Sequence, residues 1–511
     1  MRRSAQKKLT KGLVRSALAG QLPWAPPSYT DPPICPLSDD EIEAIHEASL
    51  DVIEKIGIRF LNQEALDILK KAGCDVDDQS QNVKMDRQWV ADKVTHAPSQ
   101  FTITPRNRNK AITIGGGNFC FGRVASPPNI IELDKGRRPG TRKDYQDLIK
   151  LTQAYNCLHT ICGYPVEPMD LHASVRHLHC FYDALVLSDK VLHVYSLGKE
   201  RLEDGMEMIR IASGVPADEF YKTPRLFTNI NSSSPLKHDF PMLDGAMRMA
   251  RLGQPVVITP FTLAGAMAPV TIVGAVVQQN AETLAAIALL QEITPGTPVV
   301  YGAFTSNVDM KTGAPAFGTP EYVRAMQISG QMARRYNLPW RGSNANASNA
   351  PDGQAVWESA FSLQGTTSGH ANLIYHSAGW LEGGLSASFE KFVMDCEMLQ
   401  QVIYTQKSVT VTPEDLAVDA IKEVGPDGHF FGAEHTQSRY KDAFYSPLLS
   451  DWSNYEAWEE AGALWTHQRA SVQYKKIINE YELVPLDPAV LEELNTFVAR
   501  RLEQGGAPTD F

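Results

Sequence analysis

Residues 252–281 read LGQPVVITPFTLAGAMAPVTIVGAVVQQNA, and no side chain in this run is charged. The run is long enough to cross a bilayer. A membrane helix does not fit it, because Gln254, Thr259, Pro260, Thr262, Pro269, Thr271 and several glycines interrupt it. The better reading is a buried strand over 255–259, a loop opening at Pro260 and a buried helix from about Pro269. A strand apolar on both faces belongs in a parallel sheet that is covered on both sides.

Outward from this unit the pattern repeats. Apolar strand-like runs occur at 159–166, 191–197, 225–230, 255–259, 298–304, 339–344, 372–378 and 428–434. Helical stretches fall between them at 173–187, 202–212, 239–252, 269–290, 320–336, 354–367 and 390–405. Eight strands, the first seven each followed by a helix, over roughly 280 residues, match the arithmetic of a (β/α)8 TIM barrel. An open doubly wound sheet would need a glycine-rich phosphate turn after an early strand. Gly115-Gly116-Gly117 has no helix after it and reads as a turn.

The expected fold class is therefore α/β, in four parts. A basic arm covers 1–36, an N-terminal α+β cap 37–150, the TIM barrel 151–440 and a C-terminal helical extension 441–511. In the cap, Ser38 and Asp39 ahead of Glu41 open a capped helix over 39–57. A short helix near 64–72 and strand-like segments at 101–104 and 111–114 follow. The tail, with Trp452, Trp458 and Trp465, is expected to pack on the barrel or on a second subunit of a homo-oligomer.

Of the 511 residues, 43% are hydrophobic and 21% charged, as in an ordinary soluble globular protein. Residues 1–30 carry six basic side chains (Arg2, Arg3, Lys7, Lys8, Lys11, Arg15) and no acid; the rest holds 42 basic against 59 acidic, a net of −17. A body this acidic argues against nucleic acid as a partner. The stretch after Lys11 lacks a continuous apolar region, so a secretory signal is not expected. Seven cysteines without a CxxC pair fit a reducing, cytoplasmic setting and argue against a zinc ribbon.

In a barrel the site lies where the strands end. Those ends carry Tyr164, Tyr195, Asn229, Asn231, Phe261, Tyr301, Phe304, Asn344, His376, Trp380, Glu382 and His435. The set is aromatic and neutral-polar. Lys237, the nearest lysine, lies several residues past a strand, a weak candidate for a Schiff base. His172, His177 and His179 read as surface or packing histidines, and no metal site is expected. An aromatic, weakly titrating site suits a quaternary amine, since a cation without N–H donors is best held by ring faces.

The chain resembles the trimethylamine methyltransferase superfamily over nearly its whole length. The resemblance rests on Ile45-His46-Glu47-Ala48-Ser49-Leu50-Asp51, Ala72-Gly73-Cys74-Asp75-Val76, Ser234-Pro235-Leu236 and Ala268-Pro269-Val270-Thr271. It continues through Gln279-Asn280-Ala281-Glu282, Pro351-Asp352-Gly353-Gln354-Ala355, Gly379-Trp380-Leu381-Glu382, Ser388-Phe389-Glu390-Lys391 and Val424-Gly425-Pro426-Asp427-Gly428-His429-Phe430. It implies a TIM barrel. It also implies methyl transfer from a methylated amine to the Co(I) of a corrinoid (cobalamin), free or on a partner protein. Founding members use pyrrolysine; the corresponding region here, 343–352, has Asn344, Asn346, Ser348 and Asn349 instead. Members without pyrrolysine are associated with quaternary amines, glycine betaine foremost, and that is the expected substrate.

On this reading Tyr164, Tyr195, Phe261, Tyr301, Phe304 and Trp380 form the cage. His376 and His435 bind a substrate carboxylate, with Asn229, Asn231 and Asn344 assisting. Glu382 orients His376 or adds negative charge near the ammonium. Tetrahydrofolate as acceptor, trimethylamine as substrate and a non-catalytic amine-binding protein are the competing readings.

Overall fold

The computed structural model describes Leu18 and residues 20–509. The basic stretch from Arg2 to Arg15 lies outside the described residues. Eight short parallel strands organise the body: β1 (Cys120–Phe121), β2 (Thr160–Ile161), β3 (Val191–Leu192), β4 (Thr228–Ile230), β5 (Val256–Ile258), β6 (Val299–Gly302), β7 (Trp340–Ser343) and β8 (Leu373–Tyr375). Six of them form one curled parallel sheet in the order β4-β5-β6-β7-β8-β1. β2 and β3 pair with each other, and two parallel bridges, Gly122 with Thr160 and His193 with Phe227, stand between this pair and the ends of the sheet.

The quoted stretch folds as read. β5 is buried on both faces, and the helix Ile272–Ile293 follows it. This is the one described helix long and apolar enough to cross a membrane, and it is mostly buried. It lacks a polar outer face because the cap covers that face: helices Asp39–Asp51, Gln63–Lys71 and Arg87–Thr95 pack against it. The cap helix Asp39–Asp51 starts with the expected capping box from Ser38 and Glu41.

Seven of the eight expected strands form. The strand expected at 428–434 does not; that segment is a short 3-10 turn, Phe430–Gly432, leading into Glu434–Gln437. Gly425-Pro426-Asp427-Gly428 is turn chemistry, and residues 429–432 after it are exposed. The place beside β8 is taken by β1, which pairs Cys120 with Leu373 and Phe121 with Ile374. Thus a strand of the sheet comes from the region expected to be cap alone. A two-residue strand between glycine-rich turns shows no period to read.

The strand interiors meet a hairpin, Gln100–Ile103 with Ile112–Gly115. Phe101, Ile103, Ile112 and Ile114 cluster with Val191, Phe227, Val257, Val300 and Leu373. This apolar plug fills the foot of the strands and leaves their opposite, C-terminal ends open. In the tail, Thr466–Asn479 packs on Phe389–Thr405, and Pro488–Glu503 packs on Ala173–Leu187 and Lys199–Ser213.

Candidate functional site at the strand ends

At the C-terminal ends of the strands lies a cavity of about 600 Å³, within the ~300–1,000 Å³ usual for small-molecule sites. It brings together seven of the expected residues: Tyr195, Asn229, Asn231, Phe261, Phe304, His376 and Trp380. One wall is aromatic. Phe304 lies 5.1 Å from Phe261 and 6.1 Å from Trp380 by ring centroids, with Phe317 stacked behind it at 5.3 Å. The opposite wall is amide and hydroxyl. Asn229 donates to Asn231 Oδ1 (3.0 Å) and accepts from the Thr259 hydroxyl (2.8 Å), so its amide is held in one orientation.

His376 follows β8 with a φ of 56°, in the left-handed region that a non-glycine side chain adopts at some cost. Its ring packs 4.1 Å from Trp380, and Nδ1 meets Ser343 Oγ at 3.1 Å. Burial, with Arg341 nearby, holds its pKa well below the usual imidazole range, so it is neutral. His193 is likewise neutral, pushed down to about 3 by burial and by Arg123, and its Nε2 accepts the Asn229 N–H at 3.0 Å.

Five expected residues stand elsewhere. Tyr164 packs behind Tyr195 at 4.6 Å and gives its backbone N–H to the Tyr195 hydroxyl at 2.9 Å. Tyr301 is buried in the body, donating to Asn280 Oδ1 at 3.0 Å. Asn344 donates to the Ser377 carbonyl at 3.1 Å, outside the cavity lining. Glu382 sits next to the rim glycine Gly383, bound by Arg137 (2.8 Å) and Ser386. His435 is not brought to the cavity: the strand that was to deliver it is absent, and it lies in an exposed helix against the Glu414 carbonyl. Of the three clustered histidines, His172 caps a helix and His177 pairs with Asp204 at 2.8 Å.

Reading strand ends alone missed Arg341, which sits inside β7 and lines the cavity. It is 2% exposed. No carboxylate pairs with it among the described residues: its contacts are the rings of Tyr375 (4.5 Å) and Phe304 (5.2 Å) and a long bond to the Ala303 carbonyl (3.4 Å). Its Nε is buried without a partner. A lone charged residue in an otherwise uncharged strand was the available signal. Glu167 and Asp239, also missed, supply acid at the cavity edge. Burial pushes the Glu167 carboxyl up, with Arg176 opposing at 3.3 Å.

Loops around the cavity are buckled from below. Buried Glu282 accepts from Ser232, Ser234 (2.6 Å), the Leu236 N–H (2.8 Å) and Gln278 (2.9 Å), which pins the Ser232–Ser233 wall. Asn346 donates to the Trp380 carbonyl (2.6 Å) and its own carbonyl accepts the Trp380 indole N–H (3.0 Å).

Comparisons with known proteins give the family. A family model described as trimethylamine methyltransferase (MTTB) matches residues 2–506. This chain belongs to that family. It is 37% identical over 471 residues to a glycine betaine methyltransferase of Desulfitobacterium hafniense (strain Y51), covering 92% of this chain and 98% of that one. Trimethylamine methyltransferase MttB of D. hafniense (strain DSM 10664 / DCB-2) is 32% identical, covering 92% and 94%. A proline betaine:corrinoid methyltransferase of Eubacterium limosum is 28% identical, covering 90% and 96%. Among solved structures, monomethylamine methyltransferase (MtmB) of Methanosarcina barkeri aligns over 93% of each chain at 11% identity with a TM-score of 0.50, a likeness of fold. Stretches on which the resemblance rests fall on the buckles just described: Glu282 and Ser234 on one, Trp380 on the other.

Proposed function

We propose that this protein is a methyltransferase that takes a methyl group from a zwitterionic quaternary amine, glycine betaine favoured, and passes it to a corrinoid Co(I). Membership of the MTTB family supports the reaction class. The observation that carries the substrate is Arg341, a buried cation that lines the cavity beside its aromatic wall and has no carboxylate partner among the described residues. A substrate carboxylate would balance it, while the trimethylammonium end meets the faces of Phe261, Phe304, Trp380 and Tyr195. Trimethylamine and choline have no carboxylate and would leave Arg341 unpaired.

Neutral His376, beside Arg341, is assigned to donate a hydrogen bond to the same carboxylate. Asn229 and Asn231 assist as polar groups of the cavity lining. The N–C bond breaks with its electron pair kept by nitrogen, so dimethylglycine leaves neutral at nitrogen and no general acid is needed. The site's task is to hold one methyl in line with the acceptor and keep water out. A corrinoid would supply the two-electron nucleophile. The macrocycle exceeds a 600 Å³ cavity, so the fit is over the rim, where Gly383 and exposed Leu385 permit close approach. Glu382, locked to Arg137, is assigned to shape that rim and not to touch substrate.

The strand pairing supports a closed (β/α)8 barrel running from about residue 119 to 405, since the two bridges lie where such a barrel would close, between β1 and β2 and between β3 and β4. The test of function is purified protein with glycine betaine and either cob(I)alamin or tetrahydrofolate. Dimethylglycine is expected with cob(I)alamin. Turnover only with tetrahydrofolate overturns the acceptor, and tight betaine binding without transfer to either overturns the enzyme reading.

A further inference from the structure

The segment between Ser408 and Phe444 stands apart from the body. Only Ala420 and Ala433 are buried within it. Its side-chain hydrogen bonds close on itself, as Thr410 and Thr412 do on Asp415 and His435 does on Glu414. None of its helices packs extensively on the barrel. Yet it is apolar: Val409 is 90% exposed, Val418 65%, Phe431 82% and Phe444 84%. Water-facing aromatics at this density mark an interface, not a solvated loop.

The segment leaves and returns at one place. It begins after the helix Phe389–Thr405 and ends where Tyr445 meets Tyr404, ring centroids 5.3 Å apart. Glu397 clamps the return, accepting from the Leu448 and Leu449 N–H groups (2.6 and 2.9 Å). Because that helix runs from the rim down to the foot of the strands, the excursion departs from the foot, away from the cavity.

A second apolar surface lies on the helix Gly353–Ser368. Its outward face shows Val356, Trp357 and Phe361 at 40%, 58% and 48% exposure, and Glu358 is its one charged residue. The helix Lys199–Ser213, at an equivalent position in the fold, carries Lys199, Glu200, Glu203, Glu207 and Arg210. The bare face belongs to the first half of Gly353–Ser368, the end nearest the cavity.

We propose that the excursion 408–444 of one copy packs on the Val356–Trp357–Phe361 face of a second copy, and reciprocally, in a two-fold dimer. Both surfaces are on the same chain, and a closed symmetric pair satisfies both at once. A two-fold axis across the strand direction sets the copies antiparallel. The foot of one then lies beside the cavity end of the other, where the bare helix face is. Phe431, Phe444, Trp357 and Phe361, exposed by 48–84%, together offer roughly 500 Å² per exchange when ~150–250 Å² per aromatic is scaled by that exposure. Two exchanges reach roughly 1,000 Å² before the aliphatic side chains are added, and these bring the total to the ~1,200–2,000 Å² of a stable interface.

Sedimentation of the full chain tests this. The expected species is twice 56.4 kDa. Phe431→Ser with Phe444→Ser, or Trp357→Ser with Phe361→Ser, should weaken association by roughly a hundredfold, with the far-ultraviolet spectrum unchanged because all four side chains are exposed. In a Cys35→Ser background, mixing a Trp357→Cys chain with a Phe431→Cys chain should give an intermolecular disulfide. A monomeric parent chain overturns the proposal. So does a dimer that survives both double substitutions, or a mixture that yields no mixed disulfide.

Discussion

Lys391 and Arg341 are both buried cations, and among the described residues only Lys391 has a carboxylate partner. Lys391, on the helix Phe389–Thr405, is ion-paired to Asp395 and donates to Ser359 Oγ at 2.8 Å. Asp395 in turn accepts the Gly379 N–H at 2.8 Å, so the pair holds the turn that leads into Trp380. Arg341 has rings and one long carbonyl contact, and it faces the cavity. A closed pair is architecture. An open charge at a cavity is an unfilled half of an interaction, and the proposed betaine carboxylate is the other half.

The largest effect should come from opening the closed pair. Asp395→Ala leaves Lys391 unpaired and should destabilise the fold by about 3–5 kcal/mol, read by denaturant unfolding. Arg341→Met should do the reverse: stability kept or raised, with kcat/KM for betaine down about a hundredfold, roughly 3 kcal/mol. If Arg341→Met melts as Asp395→Ala does, the contrast between the two cations is wrong. Trp380→Leu should cost about 2 kcal/mol of betaine binding, read by calorimetry. The uncharged isostere with a tert-butyl group in place of trimethylammonium should lose much less.

A smaller effect concerns pH. His193 and His159 are buried with folded pKa values near 3, against about 6.5 unfolded. Their contribution is full above pH 6.5 and is lost as pH falls toward 3. Between pH 6.5 and 5.5 each should cost about 1 kcal/mol, and His193→Gln should flatten the slope of melting temperature against pH. The smallest change should follow Arg137→Ala, which frees Glu382 at an exposed pair: a melting temperature within about 1 °C of the parent, with any loss confined to methyl transfer at the rim.

The strand–helix rhythm was legible wherever an element was long enough to show its period. The helix expected at 354–367 is observed at Gly353–Ser368, and the strand expected at 339–344 is β7. β1 was not legible, because Phe119-Cys120-Phe121 is a three-residue apolar run between glycine-rich turns, whereas the equally short β2 and β3 open longer apolar runs. The segment 428–434 misled because aromatic residues beside glycines resemble a short strand when their exposure is unknown. At the site, His376 and Trp380 could be named from the ends of runs, but Tyr301 could not be told from a cavity residue. Whether an aromatic faces a cavity or Asn280 depends on which side of the strand is turned in.

The charge-free run at 252–281 shows the division. Its residues alone determined a buried strand, a loop and a buried helix, because turn-forming prolines and the absence of charge act locally. What covers that helix, and therefore why it carries no polar face, was decided by the cap packed on it. The same holds for Arg341: its presence in an otherwise uncharged strand is written in the sequence, but its lack of a counter-ion among the described residues is a property of every one of them that might have reached it. Pairing and burial are sums over distant segments, and only the assembled fold evaluates them.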